Sequence, residues 1–177
     1  MPKQFLKTKT MVMAAMFIAL DIVITRFIAI QTPITRIGFG FIPVSMCGML
    51  LGPWVAAAAG FLGDFLGMLI NSRGMAYFPG FGLSAALYGL NYGLFLHGRK
   101  KGFKLIVPCV VLSELIIGIG LGTLWLVMMT ESSPTAILIS RIPQSLLMAP
   151  VKIFMIKLTW EYVGKYIERN VSYALHG

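Results

Sequence analysis

Long apolar runs, broken by short connections rich in glycine, proline and polar residues, dominate this chain. The runs predict helices near 9–30, 38–51, 53–70, 80–97, 104–128 and 137–163. Most approach the roughly 20 residues that a helix rising 1.5 Å per residue needs to cross about 30 Å of hydrocarbon. The second is short. Only Leu51, Gly52 and Pro53 separate the second helix from the third, so the two form a tight antiparallel hairpin. The pattern predicts an all-α polytopic membrane bundle of six transmembrane helices, a single domain over residues 1–177, without an internal repeat of 20 to 50 residues.

Composition agrees with a membrane protein and against a soluble domain. The chain is 58% apolar with mean hydropathy +0.84, and only six of its 177 residues are acidic. The net charge of +9 does not point to nucleic acid, because the basic residues flank apolar runs instead of forming a soluble patch with interleaved aromatics. Lys3, Lys7 and Lys9 precede the first helix, Arg99, Lys100, Lys101 and Lys104 join the fourth to the fifth, and Lys165 and Arg169 end the chain. This distribution predicts that both termini face the cytoplasm. The first run is long and carries Asp21, so it is expected to be a retained helix and not a cleaved signal. Cys47 and Cys109 lie in apolar segments without ligand-spaced histidines, as packing residues would, and no metal site is expected.

Ionisable side chains in the apolar runs each call for a partner, since one near the bilayer core costs at least about 2.5–3.5 kcal/mol on insertion scales. Arg26 lies near the outer end of the first helix and Arg141 starts the sixth at a similar level. With Arg36 and Arg73 in outer connections, they set four guanidiniums against one loop acid, Glu131. Guanidiniums pair with carboxylates through parallel hydrogen bonds, so the set suits an anionic ligand, with headgroup snorkelling as the plainer explanation. Asp64 and Glu114 fall near mid-membrane, where each either accepts hydrogen bonds from an amidine-like ring edge, pairs with an arginine or caps a neighbouring helix. Asp21 has no assignable role.

Two outer segments, Ile37-Gly-Phe-Gly-Phe-Ile-Pro43 and Tyr77-Phe-Pro-Gly-Phe-Gly-Leu-Ser84, set flat rings among glycines at helix entries. Phe39, Tyr77, Phe78, Gly80, Phe81, Ser84 and Tyr88 are therefore candidates for closing on a flat heteroaromatic ligand, the alternative being an interfacial aromatic belt. Trp54 reads as an interface anchor, whereas Trp125 is either an anchor or a pocket residue. Ala15 and Ala19 lie one turn apart on a face that admits another helix closely, and Gly60, Gly63, Gly67, Gly118 and Gly122 make similar faces for internal packing.

Taken together, Arg36-Ile-Gly-Phe-Gly-Phe-Ile-Pro43, Leu51-Gly-Pro53, Gly63-Asp64, Tyr77-Phe-Pro-Gly-Phe81, Leu83-Ser-Ala85, Tyr88-Gly and Tyr92-Gly-Leu-Phe95 resemble a known family. The chain is similar, over essentially its whole length, to the substrate-binding S components of energy-coupling factor (ECF) vitamin transporters, specifically the folate-specific S component. Gly82 departs from the threonine that often follows Pro-Gly-Phe. The resemblance implies six helices, cytoplasmic termini and an outward-facing substrate pocket roofed by loops. It further implies that Ala15-x-x-x-Ala19 docks on a membrane-embedded coupling subunit (T component) driven by two ATPase subunits, with toppling releasing cargo inward. Folate is then substrate, and no cofactor is implied.

Without a G-x-x-x-x-G-K-[ST] loop the chain has no usual phosphate cradle, so energy is expected from partners or a gradient. An enzyme is disfavoured. Gly82-Leu-Ser84 superficially fits a membrane protease, but His97 shares its helix and His176 is in the tail. A small proton-coupled transporter using Asp64 and Glu114, a cell-shape scaffold, or an S component for riboflavin, pantothenate, biotin or a purine-like base are the remaining alternatives.

Overall fold

The computed structural model describes residues 8–28, 30–31, 36–71, 78–99, 102–130 and 133–167. Arg73, Tyr77 and Glu131, together with the side chain of Arg36, lie outside the described residues. Helix α1 (Thr8–Val23) continues into a π-helical turn, Ile24–Ile28. A pair of two-residue strands follows, β1 (Ile30–Gln31) antiparallel to β2 (Arg36–Ile37), with Ile30 opposite Ile37. Then come α2 (Phe41–Leu51), α3 (Pro53–Ile70), α4 (Pro79–Leu96) and α5 (Phe103–Ser113). From α5 the chain runs without a break through a π-helical stretch, Glu114–Leu121, into α6 (Gly122–Thr130). Helix α7 (Pro134–Thr159) is the last, extended by a π-helical turn, Trp160–Gly164.

Six helical spans are thus present among the described residues, α5 and α6 being one. Four of them, Thr8–Phe27, Pro53–Ile70, Phe103–Thr130 and Pro134–Ile167, are long and apolar enough to cross a bilayer. Helix α4 has the length, at 18 residues, but is diluted by glycine and tyrosine. Helix α2 has only 11 residues, about 16 Å of rise, so it covers half the hydrocarbon thickness. Two boundaries differ from expectation. The hydroxyl- and proline-bearing start of α7 is helical from Pro134, so Arg141 stands two turns inside the helix instead of opening it. The strand pair, too short to carry an alternating pattern, leaves no trace in hydropathy.

Prolines Pro53, Pro79 and Pro134 each stand in the first turn of a helix, where a missing N–H costs nothing and the fixed φ suits the helix. Between α2 and α3, Gly52 adopts φ +92°, a left-handed conformation that side chains avoid. Its N–H donates to the Gly48 carbonyl at 3.2 Å, and the His97 ring from the end of α4 packs on it, Nδ1 lying 3.2 Å from the Met49 carbonyl.

Backbones of α2, α3 and α4 touch. A Cβ on Gly60 would stand 2.5 Å from the Ala85 carbonyl oxygen, and one on Gly48 would stand 2.8 Å from the Gly93 nitrogen. Such contacts are how helices associate where hydrocarbon outside is as apolar as the side chains within. The apolar core, including Met46, Cys47, Tyr92, Leu96, Ile106, Cys109 and Ile156, lies below the polar interior, toward the Gly52 turn. Both cysteines are fully buried, and Cys109 also receives a hydrogen bond on its carbonyl from Asn91 at 2.9 Å. The surface is inverted relative to a soluble protein. Leu69, Ile139 and Leu146 are at least 70% exposed, whereas Asp21, Arg26 and Glu114 are buried. Trp54, 61% exposed at the Gly52 turn, is placed as an anchor would be.

Candidate functional site: a two-lobed polar cavity

At mid-bundle, above the core, two adjoining cavities of about 230 and 160 Å³ share Gly38, Tyr88 and Lys152 in their walls. The first lobe is bounded by α1, α2, α3 and α4, and its polar walls are Asp21, Thr25 and Asp64. The second lies between α4, the π-helical stretch and α7, and is walled by Glu114, Arg141, Gln144 and Ser145. The first lobe therefore presents two carboxylates beside the shared Lys152, and the second two cations with one carboxylate.

Small residues make room for each charge. The Asp21 carboxylate fits against Gly63 and Gly40, where added Cβ atoms would stand 2.5 Å and 2.8 Å from its oxygens. Thr25 Oγ1 donates to the Asp21 carbonyl at 2.7 Å and ties the π-helical turn to α1. That turn carries Arg26, 3% exposed, whose Nη2 donates to both Oδ1 and the backbone carbonyl of Asp64 at 3.1 Å each. Its Nη1 lies 3.1 Å from Met68 Sδ, and Gly67 leaves space for the guanidinium.

In the second lobe Glu114 and Lys152 form an ion pair, with the ammonium 5.2 Å from the Tyr88 ring centre and 5.7 Å from that of Phe41. Glu114 opens the π-helical stretch. A π turn is wider than an α turn, and such segments recur at functional sites. Here the Gly118 carbonyl accepts a 2.7 Å hydrogen bond from Arg141 Nη1, and Gly122 provides the opening through which the guanidinium reaches it.

The aromatic residues form a third feature at the start of α4. Trp125 Nε1 donates to Ser84 Oγ at 2.9 Å, its ring lies 5.5 Å from Phe78, and Phe78 lies 6.0 Å from Phe81. Gly80 allows the packing, since a Cβ there would meet the Trp125 ring at 2.6 Å. Phe39 packs on Phe41, with ring centres 6.2 Å apart.

Comparison with known proteins places this geometry. The sequence profile of the family described as "ECF transporter, substrate-specific component" matches residues 9–158. The chain belongs to that family. One relative, the folate transporter FolT of Clostridium novyi (strain NT), is 39% identical over 159 residues, covering 90% of this chain and 92% of the relative. Another, the folate transporter FolT of Leuconostoc mesenteroides subsp. mesenteroides, is 33% identical over 156 residues, covering 84% and 82%. A crystal structure of FolT bound with folic acid superimposes with a TM-score of 0.81 at 31% identity, covering 85% of this chain and 92% of that one.

The predicted site residues of this S component do not all come together. Asp64, Tyr88, Glu114 and Arg141 line the two lobes. Phe78, Gly80, Phe81, Ser84 and Trp125 assemble with one another and are absent from the described walls of either lobe. Arg26 stands behind Asp64, so it and Arg141 do not converge on one lobe. Ala15 and Ala19 are exposed on α1 beside Met11, Val12 and Met16. Two intramembrane acids have a basic partner, Arg26 for Asp64 and Lys152 for Glu114, the latter a lysine instead of the arginine that was one of the alternatives.

One cavity residue went unnoticed in the sequence and another had no role there. Lys152 lies midway along the final span and could have been found by the depth argument applied to Asp64 and Glu114. Asp21 was seen without a role, because its surroundings come from Gly40 and Gly63, distant in sequence. Among the described residues, no cluster of His, Cys, Asp and Glu could hold a metal ion.

Proposed function

We propose that this S component captures folate from outside the cell and docks, loaded, on a membrane-embedded coupling subunit powered by two ATPases. The observation that carries the ligand is the difference in charge between two joined lobes, two carboxylates to one cation in the first and two cations to one carboxylate in the second. Folate has a pterin whose amidine-like edge donates hydrogen bonds, a flat aromatic middle and a dicarboxylate tail. Asp21 and Asp64 suit the first, the Tyr88 ring at the junction the second, and Arg141 with Lys152 the third. The aromatic cluster around Trp125 acts as the roof. The 39% identical relative named as a folate transporter, and the similar fold seen with folic acid, support the same ligand. Ala15 and Ala19, exposed in a notch between larger side chains, are the docking face for the coupling subunit. Both termini face the cytoplasm, following the lysine-rich connections.

Titrating the purified chain in detergent with folate, followed by tryptophan fluorescence, tests the reading. Folate is expected to bind and quench Trp125, and riboflavin to do neither. Absence of folate binding would overturn the substrate while leaving the family intact.

Gly122→Ala gives a finer test. Its Cβ collides with the Arg141 guanidinium and detaches it from the Gly118 carbonyl. Alanine also favours the helix by about 1 kcal/mol, so stability is expected to hold. Loss of a well-placed charge-assisted bond to the ligand, worth about 1.5–3 kcal/mol, predicts at least about tenfold weaker folate binding. Unchanged affinity would remove Arg141 from the ligand.

A further inference from the structure

Lys152 is the one cation among the described residues that lines both lobes of the cavity. It lies 11 residues after Arg141 on α7, three helical turns, so the two project from one face of that helix. Its ammonium has three donors. Glu114 accepts from it, and the rings of Tyr88 and Phe41 flank it at 5.2 and 5.7 Å without supplying a conventional acceptor. Donor capacity is therefore left over at the junction, where a ligand filling both lobes must pass.

We propose that Lys152 is the specificity-determining residue that makes a negative charge on the ligand tail a condition of tight binding, with Glu114 as its positioning residue. The inference rests on the folate reading of the cavity. A lysine left to itself in this position would extend along its flexible stem toward the nearest water. The ion pair with Glu114, at the head of the π-helical stretch, holds it against the rings instead. Glu114 thus fixes the cation in place, and it also sets a threshold. A neutral tail cannot compete for the ammonium in this setting, whereas a carboxylate adds a second charge-assisted bond to donors already aligned. Other charged groups bordering the lysine are Asp21 and Asp64 across the first lobe and Arg141 in the second. The two aspartates repel a carboxylate and so direct it toward the Lys152 side.

The test compares folate with its diamide, in which both tail carboxylates are carboxamides of nearly the same shape. Dissociation constants for the two are measured on the wild-type chain and on E114Q/K152M, which removes both charges together and leaves no lone buried ion. E114Q/K152Q, which retains a neutral hydrogen-bonded pair, serves as a second variant should the first not fold. The wild type is expected to prefer folate by at least about thirtyfold, and the double variant to lose at least about tenfold of that preference. Pteroyl binding that weakens equally for both ligands, with the ratio unchanged, would overturn the inference and reduce Lys152 to packing. A wild-type chain that binds neither ligand would overturn the folate reading itself, an outcome distinct from an unchanged ratio.

Discussion

Gly89→Val is expected to lower the thermal stability of the protein in detergent by several degrees to about 10 °C. Gly89 faces the carbonyl of Ala56 so closely that a Cβ would overlap it, with the Ala57 nitrogen only 3.0 Å away. Both obstructing atoms are backbone, so no side chain can rotate aside, and α3 and α4 would have to separate along their length. Valine favours a helix slightly more than glycine does, but by less than about 1 kcal/mol. Overpacking of this kind costs about 1–3 kcal/mol or more, which in a chain of this size lowers the melting temperature by several degrees to about 10 °C. Gly102→Ala is the control, because nothing lies within 4 Å of the added atom. Equal thermal stability of the two variants would mean that α3 and α4 do not pack as described.

Arg26→Ala is expected to be the most damaging single change among the charged residues. It leaves the Asp64 carboxylate at mid-bundle without the guanidinium 3.1 Å from it. Breaking a buried pair by removing one partner costs about 3–5 kcal/mol, since an uncompensated charge remains. R26A/D64N removes the pair together and should recover most of that loss in thermal unfolding. Folate titration of the repaired variant then separates two roles. Binding equal to that of D64N alone would make Arg26 a support for Asp64, and binding weaker than that of D64N in a stable protein would place Arg26 on the ligand.

Helix placement was largely legible because hydrocarbon imposes a simple rule, long apolar runs with charges at their ends. Pro53 and Pro79 mark two helix starts, and Gly52 marks a turn that needs positive φ, as Gly98 does after α4. The site was legible by residue and not by arrangement. Depth along the chain correctly brings Asp64 and Glu114 to mid-bundle, but depth is one coordinate. It contains no rotation about the helix axis, so it could not show that Arg26 turns toward α3 while Arg141 turns toward the π-helical stretch. π-helical segments add to the difficulty. They shift the phase of everything after them, and no composition marks Ile24–Ile28 or Glu114–Leu121 as different from α-helix.

The shortness of α2 has a bearing on how cargo size is set. Helix α3 beside it has 18 residues and α2 has 11, so the first ends about 10 Å beyond the second, and the first lobe of the cavity is bordered by the opening turn of α2. Gly40, Phe41 at the first position of α2, and Val44 one turn on all line it. Headroom is thus metered by one helix, at about 1.5 Å per residue. A single extra turn of α2 would extend the helix by about 5.4 Å and close off the lobe, and one turn fewer would deepen the lobe. Length variation in this one element offers a gauge by which a common bundle could be fitted to molecules of different reach while every other helix stays where it is.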